Sequence, residues 1–199
     1  MATRLSMRDK GFGRVTEILD AAGLGFDPSG IDPDVLVAVR ARGSAVHEAI
    51  AAAHYGYDVD LAPEHKPFMG AYGRFVDETK HEAIASEYEM IDTRWRVIGH
   101  LDRVGWVHVD GFTGHRTIFD FKTGGAKGVE YQLAAYVALW NATRPGELVD
   151  RAAAVALRRD GTYRFLPVDL KGTMAHGFTP EQVWYAAVTL WYARQGEIR

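Results

Sequence analysis

An aspartate and a lysine stand two apart in the apolar run Ile118-Phe119-Asp120-Phe121-Lys122, just before Thr123-Gly124-Gly125. Side chains alternate between the faces of a strand, so Asp120 and Lys122 share a face with Ile118, while Phe119 and Phe121 take the other. Opposite charges beside a core are costly to place there. A second carboxylate, Asp102, follows Gly99-His100-Leu101 at the end of a strand candidate. Two carboxylates on adjacent strands can share one Mg²⁺, with the Phe121 main-chain carbonyl as a natural third ligand. Lys122, pointing at the same spot, can orient a metal-bound water or stabilise charge developing on a phosphate. His47 could complete the shell from a helix, and Glu87 could add a carboxylate from the strand before Asp102. Gln132 and Tyr136 lie four apart on one helix face and can reach the same cleft.

Taken singly, each residue also has a plain structural reading. An acid-x-Lys triplet is expected roughly once by chance in a chain of average composition and this length. Asp120 and Lys122 read as a surface ladder pair, and His47 as a partly buried helix histidine. Glu87 and Glu89 share a solvated strand face. Asp102 could cap a turn, Tyr136 could be core with its hydroxyl at the edge, and His100 reads as structural.

The elements that must position these groups follow from pattern and punctuation. Residues 15–25 form a short helix ended by glycine. Asp32-Pro33-Asp34 starts a helix that runs to about His54, with Leu36, Val39, Gly43, Val46, Ile50 and Ala53 as its apolar stripe. Residues 67–80 form another, with Phe68, Tyr72, Phe75 and Thr79 on one face. Strand candidates at 83–91, 94–101 and 102–109 follow, then a turn at 110–114 and the strand 116–123. Residues 127–143 are helical, with Val129, Leu133, Tyr136, Val137 and Trp140 inside. A hairpin turns at Asp160-Gly161, and a last helix opens at Thr179-Pro180-Glu181 and runs to about Arg194. Helices, meander, helix, hairpin and helix predict a mixed sheet with helices on its faces.

The whole chain narrows the chemistry further. Its 199 residues predict a single domain, 1–199, able to bury a real core. With no cysteine, disulfides, thiolate zinc and iron–sulfur clusters are excluded. The first fifteen residues lack the apolar segment of a signal peptide, and no stretch is long enough to span a membrane, so an intracellular protein is expected. The net charge of −3 argues against nonspecific adhesion to nucleic acid, though not against a local basic groove.

In order, "RGSAVH" (42–47), Glu87, "GHLDRV" (99–104), "DFKTG" (120–124) and "QLAAY" (132–136) form a specific string across about half the chain. It resembles the PD-(D/E)XK nuclease superfamily, closest to the RecB nuclease domain and phage recombination exonucleases; "VTEILDAAGL" resembles the opening of the phage members. The resemblance implies an α/β, restriction-endonuclease-like mixed β-sheet flanked by α-helices, with a motif core at 42–136 and a C-terminal hairpin and helix at 150–199. It implies Mg²⁺ or Mn²⁺ bound by His47, Asp102 and Asp120, with Glu87 as a further ligand. Lys122 would assist the attacking water, and Gln132 and Tyr136 would support the site or touch DNA. The family's proline before its first aspartate is Leu101 here. Many RecB-like members carry an iron–sulfur cluster; a chain without cysteine fits the free-standing phage type.

These features together lead to an expected metal-dependent deoxyribonuclease, an exonuclease trimming duplex DNA ends in phage or prophage recombination and repair. It would work in the cytoplasm of a bacterial or phage-infected cell, with no membrane partner. A single-strand annealing protein is a candidate partner and a homo-oligomer a candidate assembly. The rivals are a structure-specific or restriction-type endonuclease and a catalytically silent DNA-binding module of the same fold. Arg40, Arg42, Arg103 and Lys127 are expected to form a basic DNA-binding rim around the metal.

Overall fold

The computed structural model describes residues 11–196. Residues 1–10, part of the stretch read for a signal peptide, lie outside the described residues. A six-stranded mixed sheet carries helices on both faces, a restriction-endonuclease-like α/β architecture. Its strands are β1 (Gly13–Arg14), β2 (Glu82–Asp92), β3 (Val97–Trp106), β4 (Thr117–Lys122), β5 (Arg151–Leu157) and β6 (Tyr163–Val168). The helices are α1 (Val15–Ala21), α2 (Pro33–His54), α3 (Lys66–Thr79), α4 (Val129–Thr143) and α5 (Pro180–Arg194).

Local chemistry explains the boundaries. The Asp32 carboxylate accepts the Asp34 and Val35 amides at the start of α2, where Pro33 has no amide to lose. Thr179 and Gln182 close a reciprocal capping box at the start of α5. The β5–β6 turn holds Gly161 at φ +76°, a conformation that favours glycine, and Asp160 Oδ1 accepts the Thr162 amide. No helix among the described residues is long and apolar enough to cross a membrane.

Two cores sandwich the sheet. Helices α1, α4 and α5 cover one face around Leu133, Tyr136, Trp140 and Trp184. Helices α2 and α3 cover the other, where Phe68, Phe75, Phe119 and Phe121 meet. Ile118 packs into the first core and Phe119 and Phe121 into the second, the alternation read from the sequence. Phe68, Tyr72, Phe75 and Thr79 are all buried along α3.

Three details differ from the sequence expectations. The candidates 94–101 and 102–109 are one strand, β3, because β2 pairs along it from Val97 to Trp106. Gly99 does not end that strand. It lets α4 lie close, since a Cβ there would come within 2.9 Å of the Leu139 side chain. On α2, Ala49 is buried and Ala53 exposed, so the inner stripe ends as Val46, Ala49, Ile50; Leu36 and Val39 stay half-buried. The two-residue β1, parallel to the start of β3, was not anticipated, since two residues carry no periodicity.

Candidate active site

The site lies where the sheet's hydrogen bonding is interrupted. One edge of β3 is taken by β2 along its length. The other is shared: β1 pairs with Val97 and Ile98, and β4 with Arg103 to Gly105. Among the described residues, 99–102 have no strand partner on that edge. Beyond the Arg103–Phe119 pair the strands part, and the freed Phe121 amide donates to Asp102 Oδ2 at 2.8 Å. A strand residue's N–H and C=O leave by the same edge, so the Phe121 carbonyl faces the same gap.

The strand also kinks here. Leu101 packs into the α4-side core, while Arg103 donates to the Ile50 carbonyl on the α2 side. A regular strand would place both on one face. The break falls at Asp102. Opposite it, between the pairs Ser86–Arg103 and Tyr88–Leu101, stands Glu87 at φ +47°. A non-glycine residue held there costs of order 1–3 kcal/mol and persists only where its surroundings enforce it.

At this kink His47, Glu87 and Asp102 bring their ligand atoms within 4.8 Å of one another. His47 Nδ1 lies 3.4 Å from Asp102 Oδ1. Burial alone would hold the imidazole below its usual pKa, but Asp102, then Asp120 and Glu87, outweigh it and lift it to about 9. The same pairing and the Phe121 amide outweigh burial at Asp102 and keep it below the ordinary carboxylate range. Burial, then repulsion from Asp102, raises Glu87. His100 Nδ1 reaches Glu87 Oε2 at 3.3 Å. The sequence had left His100 structural, although its place on the Asp102 face was visible.

Asp120 stands beside this group, 1% exposed. Gln132 Nε2 donates to its Oδ1 at 3.1 Å. Lys122 Nζ lies 2.8 Å from Oδ2 as an ion pair, and Oδ2 has no other partner among the described residues. Burial, opposed by Lys122, pushes Asp120 up to about 6. Lys122 also donates to Gln132 Oε1 at 3.1 Å, and Gln132 Nε2 to the Tyr136 hydroxyl at 3.1 Å. Asp120, then Asp102, outweigh burial and raise Lys122, while burial, then Asp120, raises Tyr136. Gln132, a polar side chain on an apolar helix face, thus bridges Asp120, Lys122 and Tyr136.

A cleft of about 380 Å³ opens onto this site. Lys122 to Gly125 form one wall, and Leu36, Val39, Arg40, Gly43 and His47 of α2 the other. Gly43 leaves space there: a Cβ would sit 3.8 Å from Thr123 Oγ1. Phe26, half exposed, and Lys127 stand at the mouth.

The expected basic rim is only partly present. Arg40 and Lys127 line the cleft. Arg103 does not belong to it: the guanidinium is 1% exposed, donates to the Ile50 carbonyl and lies over the Tyr72 ring. The kink at Asp102 turns Arg103 to the face opposite Leu101, into the α2–α3 core. Arg42 is tied down, donating to the Thr123 carbonyl at 2.9 Å and lying over the Phe68 ring. It braces the chain just past Lys122.

No family model matches the sequence, and no curated protein matches it. Among solved structures, a "Putative exonuclease" from Eubacterium rectale superimposes with a TM-score of 0.52 at 11% identity, covering 100% of this chain and 89% of that one. The fold is restriction-endonuclease-like. An alkaline exonuclease (LHK-Exo) from Laribacter hongkongensis gives a TM-score of 0.36 at 13% identity, over 94% of this chain and 93% of that one.

The donor set suits a hard divalent cation. It offers carboxylates, one imidazole and a backbone carbonyl, and no thiolate. Asp120 Oδ2, buried with no partner but Lys122 Nζ among the described residues, is the kind of atom a cation satisfies.

Proposed function

We propose that the chain is one nuclease domain of the PD-(D/E)XK kind, a Mg²⁺- or Mn²⁺-dependent deoxyribonuclease that removes nucleotides from duplex DNA ends. The observation that carries this reading is the convergence of His47, Glu87 and Asp102 within 4.8 Å at a strand kink, beside the buried Asp120–Lys122–Gln132 group. A structural ion pair would not need a strained Glu87 opposite a second carboxylate, nor an imidazole held among three acids. The exonuclease assignment is in keeping with the name of the E. rectale protein that shares the fold.

His47, Glu87, Asp102, Asp120 and the Phe121 carbonyl would hold the ion. When bound, it supplies positive charge against the charge that develops on the phosphate oxygens. Lys122 keeps its proton, because its pKa is raised. Its part is therefore to donate a hydrogen bond and lend charge, not to act as a base. Gln132 holds Lys122 Nζ and Asp120 Oδ1 in fixed relation. Hydrolysis forms a bond from water oxygen to phosphorus and breaks the P–O bond of the leaving nucleotide; of the water's two protons, one ends on the leaving oxygen and the other in solvent. Arg40 and Lys127 would hold the backbone at the cleft. A role at recombination ends, with an annealing protein as partner, a homo-oligomer and a cytoplasmic setting, belongs to the same reading.

The test is a fluorescent duplex incubated with Mg²⁺ or Mn²⁺, as a linear fragment and as a covalently closed circle. Degradation of the linear form alone supports the exonuclease. Cutting of the closed circle would replace it with an endonuclease. Binding without cleavage in either metal would leave a silent DNA-binding module.

A further inference from the structure

Strand register brings a second element to the end of β4, beside the cleft wall. β4 and β5 run parallel, with Lys122 beside Ala156, so both strands end at the same edge of the sheet. The β5–β6 hairpin turn therefore starts next to Thr123. It carries two exposed arginines, Arg158 and Arg159, and its Gly161 lies over the first turn of α3, where a Cβ would be 3.9 Å from the Pro67 carbonyl. Arg158 has an acid nearby, Asp160. Arg159 has no hydrogen bond or ion pair among the described residues.

Geometry brings it toward another cation, Arg42: the hairpin starts beside Thr123, whose carbonyl Arg42 holds, and its Gly161 lies by Pro67, next to the Phe68 ring that Arg42 covers. Burial, then the positive charge of Arg159, holds Arg42 below the ordinary guanidinium value. Arg42 is fixed by Thr123 and Phe68, and its Nε has no acceptor. Neither guanidinium is paired with a carboxylate among the described residues. Two guanidinium groups on neighbouring elements, neither paired with a carboxylate, attract an anion to the space they share.

We infer that Arg159, with Arg42, clamps a phosphate of the nucleic-acid backbone on the hairpin side of the cleft, across from Lys127. The inference rests on the nuclease reading for its substrate but makes a separate claim, that the β5–β6 hairpin touches DNA. The two cations sit on different elements.

The experiment measures fluorescence anisotropy of a short labelled duplex in Ca²⁺ over a salt series, with Arg159→Ala, Arg159→Lys and Lys171→Ala. Lys171 is an exposed cation past the opposite end of β6 and controls for net charge. Arg159→Ala should weaken binding roughly tenfold and lower the log–log salt slope by about one unit. Arg159→Lys should keep most of the slope, and Lys171→Ala all of it. An unchanged slope in Arg159→Ala, an equal loss in Lys171→Ala, or no duplex binding by the wild type would each overturn the clamp. Cleavage is scored separately: a wild type that binds through Arg159 but never cuts would refute the nuclease reading and leave the clamp standing.

Discussion

Asp120→Asn separates catalytic design from fold stability. The carboxylate is 1% exposed, and burial pushes its pKa to about 6 despite Lys122 nearby. A carboxylate whose folded pKa is raised contributes stability that is fully present below its unfolded value and is lost as pH rises through about 6. The rise is about two pH units, so the ionised form costs about 3 kcal/mol in the metal-free protein. Asparagine keeps the shape and the acceptor for Gln132 Nε2. Its amide would meet the Lys122 ammonium, which lies 2.8 Å from Oδ2, and that donor–donor contact takes back about 1 kcal/mol.

The metal-free variant should therefore be more stable than the wild type by about 1–2 kcal/mol near neutral pH, with the difference shrinking toward pH 4. Urea melts in chelator at several pH values measure it. In Mn²⁺ the order should reverse: the wild type gains stability by binding, the variant gains little, and cleavage is lost. A variant destabilised by more than about 1 kcal/mol in chelator would make the Asp120–Lys122 pair a structural brace. Undiminished cleavage would remove Asp120 from the site altogether.

Lys122→Ala should slow cleavage strongly while Mn²⁺ affinity, read by titration calorimetry, stays close to wild type, since the ammonium acts on water and phosphate; lost metal binding would make the lysine structural. Arg103→Ala should cost about 2–4 kcal/mol in unfolding free energy, because it removes a buried guanidinium from the Ile50 carbonyl and the Tyr72 ring, and should leave the DNA salt slope unchanged. His81, 9% exposed, hydrogen-bonded through Nδ1 to the Trp106 carbonyl and packed on Phe75 and Phe119, is held by burial at about 4. Its depressed pKa makes stability fall by up to about 3 kcal/mol as pH drops from 6.5 toward 4, a slope that His81→Asn should flatten; an identical slope would mean that the ring is already charged in the fold.

The elements were legible wherever a local rule decides them. Asp32-Pro33, Thr179-Pro180 and Asp160-Gly161 are capping and turn chemistry, and α3 shows its buried face as a stripe. What escaped was non-local. The Gly99–Asp102 stretch reads as a strand end, because the reason for Gly99 is the approach of α4 from far along the chain. Glu87 carries no local sign of its left-handed backbone; only the strand opposite holds it there. The short β1 depends wholly on its partner.

Arg103 left the expected basic rim because of the kink at Asp102, which no local pattern announces. It adjoins Asp102, where the alternation of faces breaks: Leu101 packs on the α4 side and Arg103 on the α2 side, inside the core. The correct signal lay further off. Strand 116–123, helix 127–143 and the apolar run from 152 form a strand–helix–strand unit, whose strands run parallel when they share a sheet. Parallel strands end together, which places the start of the Arg158–Arg159 turn beside Lys122. The same logic explains why the site forms at this edge. β3 and β4 are antiparallel neighbours only as far as Arg103 and Phe119, and the backbone groups freed beyond that pair need new partners. Asp102 accepts one of them, the Phe121 amide, and that bond holds its carboxylate at the gap. The broken ladder is thus what orients Asp102 toward His47 and Glu87. A continuous β3–β4 pairing would pass the Phe121 amide to Leu101 and leave Asp102 free to turn away.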